Sequence, residues 1–239
     1  MKFKILTLFP EMFPGPINHS ITGKALIKKK FQLETINIRD FSSNKAKTVD
    51  DTPFGGGAGM IMKADILQNA LTFAKKGFKK NCKVFSLSPS GKKITQSFIK
   101  NLVTSKEIIL ICGRYEGIDQ RFIDYNDIEE ISVGDYILSG GEIASFILID
   151  ACVRLIPEVL GNSESLRSES FHDYLLEYSQ YTKPSIWKKL KVPEVLLTGN
   201  HKKISDWRLK NSLEKTKKIR PELYNLFVKE KKRKLWITF

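Results

Sequence analysis

The chain has 239 residues, an apolar fraction of 41% and a formal charge of +14, enough apolar residues for a sizeable core in one large domain or two smaller ones. No run of about 18 uncharged apolar residues exists, so no transmembrane helix is expected. Three scattered cysteines, Cys82, Cys112 and Cys152, exclude a disulfide scaffold or a Cys-rich zinc site, and Cys112 and Cys152 read as small buried hydrophobes.

The charge is uneven. Residues 1–173 hold 23 Lys and Arg against 20 Asp and Glu, a net of +3, whereas residues 174–239 hold 17 against 6, a net of +11. A basic final quarter of this kind suits a polyanion, most simply nucleic acid. A lysine-rich solvated surface is the plainer alternative.

The basic, then apolar N-terminus is interrupted by Glu11 and lacks a small-residue cleavage site, so Lys2–Phe9 reads as a first strand and the protein as cytoplasmic. A helix is expected over Pro16–Lys29, with Ile17, Ile21, Ala25 and Leu26 on one face, and a strand over Gln32–Ile38. Residues 39–60 have no apolar periodicity and end in Gly55, Gly56, Gly57 and Gly59. A loop this long is usually functional or a tether.

A helix follows over Lys63–Ala74, then a strand at Lys83–Leu87 with a Ser88–Gly91 turn. Next come a helix over Ile94–Val103, a strand at Glu107–Cys112 and a long apolar helix over Glu142–Leu155. The alternation predicts an α/β domain with a mostly parallel sheet, whose ligands bind at the carboxyl ends of the strands. The turns Ser88–Gly91 and Gly113–Gly117 then border one pocket. The 142–155 helix is apolar on several sides, which fits deep core or, as preferred here, a subunit interface.

Residues 161–173 read as a linker between a domain at 1–160 and a small basic helical domain at 174–239. In the latter, helices are expected over Ser185–Leu190, Lys202–Lys217 and Pro221–Lys229, with Trp187, Trp207 and Arg208 on a basic surface. No G-x-G-x-x-G follows the first strand, no G-x-x-x-x-G-K-[ST] occurs, and His19, His172 and His201 are scattered. An ordinary dinucleotide, NTP or zinc site is therefore unsupported. The residues alone give a small-molecule pocket plus nucleic acid and leave the reaction open.

A resemblance narrows this. CGRYEGID at 112–119 and SVGDYILSGGE at 132–142 are similar to motifs of the bacterial tRNA (guanine-N1)-methyltransferase family of the SPOUT superfamily. LFPEMF at 8–13, TVDDTPFGGGAGM at 48–60, LSPSG at 87–91, PEVLGN at 157–162, VPEVLLTGNH at 192–201, WR at 207–208 and RPEL at 220–223 follow in the family's order. The resemblance implies a SPOUT fold with a deep trefoil knot and a homodimer with sites shared between chains. It also implies methyl transfer from S-adenosyl-L-methionine (SAM) to N1 of the guanosine 3′-adjacent to the anticodon of tRNA.

On this resemblance Pro89, Gly113, Val133, Tyr136, Leu138 and Gly140 surround the adenine and ribose, and Tyr115, Glu116, Gly117, Gly134 and Gly141 line the rest of the cofactor site. Asp50 and Gly59 fall in the loop used around the target base. Glu169 takes the general-base position and Arg154 the position that stabilises O6. Mg²⁺ dependence is also implied, with Glu116 and Glu169 as oxygen donors or with the ion acting through the tRNA. The chain departs from the family at Glu169, where aspartate before Ser-Phe is usual, at Ala58 for proline and at Val133 for isoleucine. Two other readings stay open: a related SPOUT enzyme with another RNA target, and an RNA binder that has lost the chemistry.

Overall fold

The computed structural model describes residues 1–160 and 169–237. The chain divides into two compact units, Met1–Gly161 and Asn162–Phe239.

The first unit is built on five strands: β1 (Lys2–Thr7), β2 (Gln32–Asn37), β5 (Lys83–Lys93), β6 (Glu107–Cys112) and β7 (Glu129–Ser132), in the order β2-β1-β6-β5-β7. Every pairing is parallel. A parallel sheet needs cover on both faces, and alternation along the strands provides it. Phe3, Ile5, Ile108, Leu110 and Cys112 enter one core, with α1 (Ser20–Ile27), α3 (Gln96–Leu102) and α5 (Gly141–Val153). Leu6, Ile109 and Ile111 enter the other, with α2 (Ala64–Lys75) and α4 (Gln120–Tyr125). This explains the unbroken apolar run of β6, where each residue faces one core or the other.

A small hairpin of β3 (Asp50–Asp51) and β4 (Ile61–Met62) closes the long polar segment before α2. The Thr95 side chain caps α3 by accepting from Phe98 N, and Asp119 caps α4 by accepting from Arg121 N. The hydrogen-bonded Arg121 guanidinium also holds the Asp119 carboxyl below its usual value.

The helix expected over Pro16–Lys29 is split. A 3₁₀ turn covers Gly15–Asn18, His19 is extended, and α1 starts at Ser20. Ile17 and Ala25 are buried, but Ile21 is exposed. The strand expected to stop at Leu87 continues to Lys93, and Leu87 and Lys92 both register with Ile131. Residues 88–91 therefore bulge out of the pairing instead of ending the strand. The return is tight: a Cβ on Gly91 would lie 2.4 Å from Ile131 N, so only glycine fits there.

On α5, Phe146, Leu148, Ile149, Cys152 and Val153 are buried, whereas Ile143 and Ile147 are exposed. The helix is thus core on most sides and bears one exposed apolar strip at i, i+4 spacing. Burial pushes the Cys112 thiol well up and raises that of Cys152 to about 12, in keeping with cysteines used as small hydrophobes.

In the second unit an extended stretch lies along α6 (His201–Ile219), which is followed by α7 (Pro221–Ile237). Polar side chains of α6 pin the backbone of that stretch. Leu176 N donates to Thr216 Oγ1 at 2.8 Å, Ser179 N donates to Asn211 Oδ1 at 2.8 Å, and Ser212 Oγ donates to Leu176 O. Ser170 and Phe171 join the same unit: Glu177 N donates to Ser170 Oγ at 3.0 Å, and Phe171 N to Leu175 O at 2.7 Å. Residues 161–168 of the expected linker lie outside the described residues.

The helix expected over Ser185–Leu190 is instead a two-stranded hairpin, β8 (Ile186–Trp187) against β9 (Leu190–Lys191). Pro184 and Pro193 bracket a segment too short for a stable helix. Ile and Trp favour extended backbone, and Val192 N donates to Ser185 O at 2.9 Å to close the ladder.

Candidate active site

A cleft of about 410 Å³ opens at the bulge of β5 and across the carboxyl ends of β6 and β7. Three segments wall it: the 88–91 bulge, the turn after β6 and the loop between β7 and α5. Pro89, Gly113, Tyr115, Glu116, Gly117, Val133, Gly134, Tyr136, Leu138, Gly140 and Gly141, the residues the resemblance gave to a cofactor, all line it. Tyr115 and Tyr136 are about half exposed, at 47% and 51%, and offer ring surface at the mouth. Tyr115 holds a left-handed backbone, φ 58, a conformation that non-glycine residues adopt mainly where surroundings impose it.

The close approach of α5 to β6 shapes the floor. Gly141 N donates to Gly113 O at 2.9 Å. A Cβ on Gly141 would lie 2.6 Å from Cys112 Cα and 3.0 Å from Gly113 N. Backbone cannot yield as a flexible side chain can, so Gly141→Ala is expected to destabilise the first unit by about 1–3 kcal/mol. Thermal unfolding reads this, and an unchanged midpoint would show that the floor relaxes freely.

The glycine-rich loop sits against one wall. Glu116 N donates to Met60 O at 2.9 Å, Met62 N to Gly117 O at 3.0 Å and Asp119 N to Met62 O at 3.1 Å. Gly59 packs on the Glu116 side chain, and Asp50 pairs with Met62 across the β3–β4 hairpin. Gly59 thus reaches the cleft wall, and Asp50 is tied to it through the hairpin.

The structure adds a group that sequence reasoning passed over. The fully buried Glu142 accepts from Thr7 Oγ1 at 2.7 Å through Oε1 and from Arg114 Nε at 2.8 Å through Oε2. Arg114 Nη1 donates to Ser139 O at 3.1 Å, and its guanidinium lies 4.3 Å from the centre of the Phe9 ring. One ion pair therefore joins β1, the turn after β6, the 133–140 loop and the start of α5. The signals were in view as the Arg of CGRYEG and the Glu of SGGE, but nothing local pairs them.

Arg154 directly follows α5 and is half-buried in the first unit, whereas Glu169 is half-buried in the second. Among the described residues no group of three or more His, Cys, Asp or Glu side chains could hold a metal ion, and no helix is long and apolar enough to cross a membrane.

A parallel sheet with a glycine-walled cleft at its carboxyl edge is the arrangement of an α/β protein with a small-molecule site. The model of the family described as tRNA (guanine-1)-methyltransferase TrmD matches residues 1–226. The chain is 52% identical over 229 residues to a tRNA (guanine-N(1)-)-methyltransferase of Wolbachia pipientis wMel, covering 95% of this chain and 97% of the relative. Proteins of the same name from Pelagibacter ubique and Rhodospirillum rubrum are 51% and 48% identical, over 95% and 94% of this chain and 98% and 92% of their own lengths. The chain belongs to the tRNA (guanine-1)-methyltransferase family.

Proposed function

We propose that the protein transfers a methyl group from SAM to N1 of the guanosine 3′-adjacent to the anticodon, position 37 of the tRNA. The observation that carries this reading is the cleft. Its volume is that of a small-molecule site, and Gly113 and Gly117, where a Cβ would meet no protein atom closer than 3.7 Å, leave backbone open to a cofactor. Tyr115 and Tyr136 supply aromatic surface.

SAM supplies an electrophilic methyl group. The remaining demand falls on the protein, because N1 of guanine carries a proton and is a poor nucleophile until that proton leaves. In this reading the Glu169 carboxylate accepts the N1 proton as general base. The negative charge that develops on O6 is met by the Arg154 guanidinium. Asp50 and Gly59 belong to the loop that meets the target base, and the connection of Gly59 to Glu116 links base and cofactor sites. Glu116 belongs to no group of three or more His, Cys, Asp or Glu side chains that could hold Mg²⁺ among the described residues, so the chemistry runs through the protein's own side chains.

The same reading includes a deep trefoil knot, which needs backbone packed closely on backbone, as at Gly91 against Ile131 and Gly141 against Cys112. It includes a homodimer with shared sites, supported by the exposed Ile143–Ile147 strip of α5. It makes residues 174–239 the tRNA-holding part, supported by their charge, and places the enzyme with its tRNA substrate in the cytoplasm.

The test is one assay: incubate the protein with methyl-labelled SAM and a tRNA transcript bearing guanosine at that position, then map the methyl group. Transfer to N1 of that guanosine is expected. No transfer above a no-enzyme control refutes the reading, and methylation elsewhere replaces the target with another RNA site.

A further inference from the structure

Within the part that the proposed function gives to tRNA, one exposed basic element stands apart. Residues 180–191 are exposed throughout. Within them the β8–β9 hairpin turns three large apolar side chains outward: Ile186, Trp187 and Leu190 are 55%, 59% and 68% exposed. Its two-residue turn is Lys188-Lys189, with φ 47 and 67. Such turns favour Asn and Gly, which tolerate positive φ. Here two lysines take those positions and put two ammonium groups at the tip, with Lys191 next along the strand. Lys188 Nζ lies 4.9 Å from the centre of the Trp187 ring. None of these three lysines forms an ion pair among the described residues.

A partner for this surface must be anionic and must also offer flat apolar faces. Residues 174–239 carry a net +11, so the charge complement is a polyanion. A base-paired duplex presents phosphates but keeps its base faces stacked inside. A single-stranded RNA segment presents both, and aromatic rings with flanking lysines are how proteins hold one.

We propose that the β8–β9 hairpin is a contact for single-stranded RNA, with Trp187 stacking on an unpaired base and Lys188, Lys189 and Lys191 holding the adjoining phosphates. This rests on the reading of tRNA as substrate, and it names the element that grips an unpaired region of that substrate.

The test uses the full-length chain and a tRNA transcript. Three variants are compared with wild type by equilibrium binding at several salt concentrations: Trp187→Ala, Trp187→Phe, and Lys188→Asn combined with Lys189→Gly. The last removes two charges while installing residues the turn prefers, so it leaves the hairpin intact. Trp187→Ala is expected to weaken binding roughly tenfold or more, with Trp187→Phe retaining most of the affinity. The double variant is expected to make the negative slope of log affinity against log salt shallower by about 1.4, roughly 0.7 for each phosphate that is no longer neutralised. Matching thermal unfolding midpoints and unchanged SAM titrations show that the variants keep their fold.

If wild type binds tRNA and all three variants bind it equally well, the hairpin proposal falls while the substrate reading stands. If wild type binds no tRNA, both fall. Competition by a base-paired RNA duplex as strong as by the transcript also overturns the single-strand assignment. A change in sedimentation with unchanged RNA affinity assigns the surface to a second copy of the chain and overturns it too.

Discussion

Replacing Glu169 with glutamine is expected to slow single-turnover methyl transfer by about 10²–10⁴-fold, the usual span for a lost general base. Glutamine keeps the length and most of the polarity of the side chain but cannot accept the N1 proton. The affinities for SAM and tRNA, which do not require that transfer, should stay at wild-type values. Glu169→Asp should keep most of the rate: it preserves the carboxylate and restores the residue usual in the family, at a reach shorter by one methylene. A glutamine variant with the wild-type single-turnover rate would remove Glu169 from the mechanism. A glutamine variant that is slow only because it fails to bind tRNA would make it a binding residue instead.

The second large effect is on stability. Glu142→Ala should destabilise the first unit by about 3–5 kcal/mol, because it leaves the Arg114 guanidinium beside a buried site with no counter-charge and Thr7 Oγ1 without its acceptor. Denaturant unfolding followed by circular dichroism measures this directly. Glu142→Gln should cost less, since its amide oxygen still accepts one hydrogen bond. The same ion pair holds the cleft wall through Ser139 O, so SAM affinity should fall along with stability. A loss below about 1 kcal/mol for the alanine variant would show that the pair is replaced by water and is not a structural tie.

The strands and helices were legible wherever burial imposed a period. The β6 run Glu107–Cys112 read correctly because both sheet faces are covered, which removes polar positions from the strand. The α2 face read correctly because Ile66, Leu67, Ala70 and Leu71 recur at helical spacing and all are buried. The hairpin at 186–191 did not, because six residues of Ile, Trp, Lys and Leu satisfy a helical template as easily as an extended one. A turn with two left-handed lysines decided the matter, and no residue preference announces such a turn. The short α4 and β7 were too brief and too polar at their ends to show any period.

The candidate site divides in the same way. Its glycines and tyrosines stood out in CGRYEGID and SVGDYILSGGE, and they line one cleft because parallel strands deliver their following turns to the same edge. The buried Arg114–Glu142–Thr7 group was not legible. Thr7 lies 135 residues from Glu142, and Arg114 lies 28, so no local pattern could join them.

By itself the sequence determined the alternation of strand and helix, the glycine positions that let backbone approach backbone, the concentration of positive charge in residues 174–239 and the motifs of the family. Those are local properties, set by side-chain chemistry within a few residues. The tertiary structure decided how three distant segments close one cleft, which carboxylate is buried and paired, and that Trp187 stands out on a hairpin. Such features depend on burial and on partners far apart in the chain, and both exist only once the chain has folded.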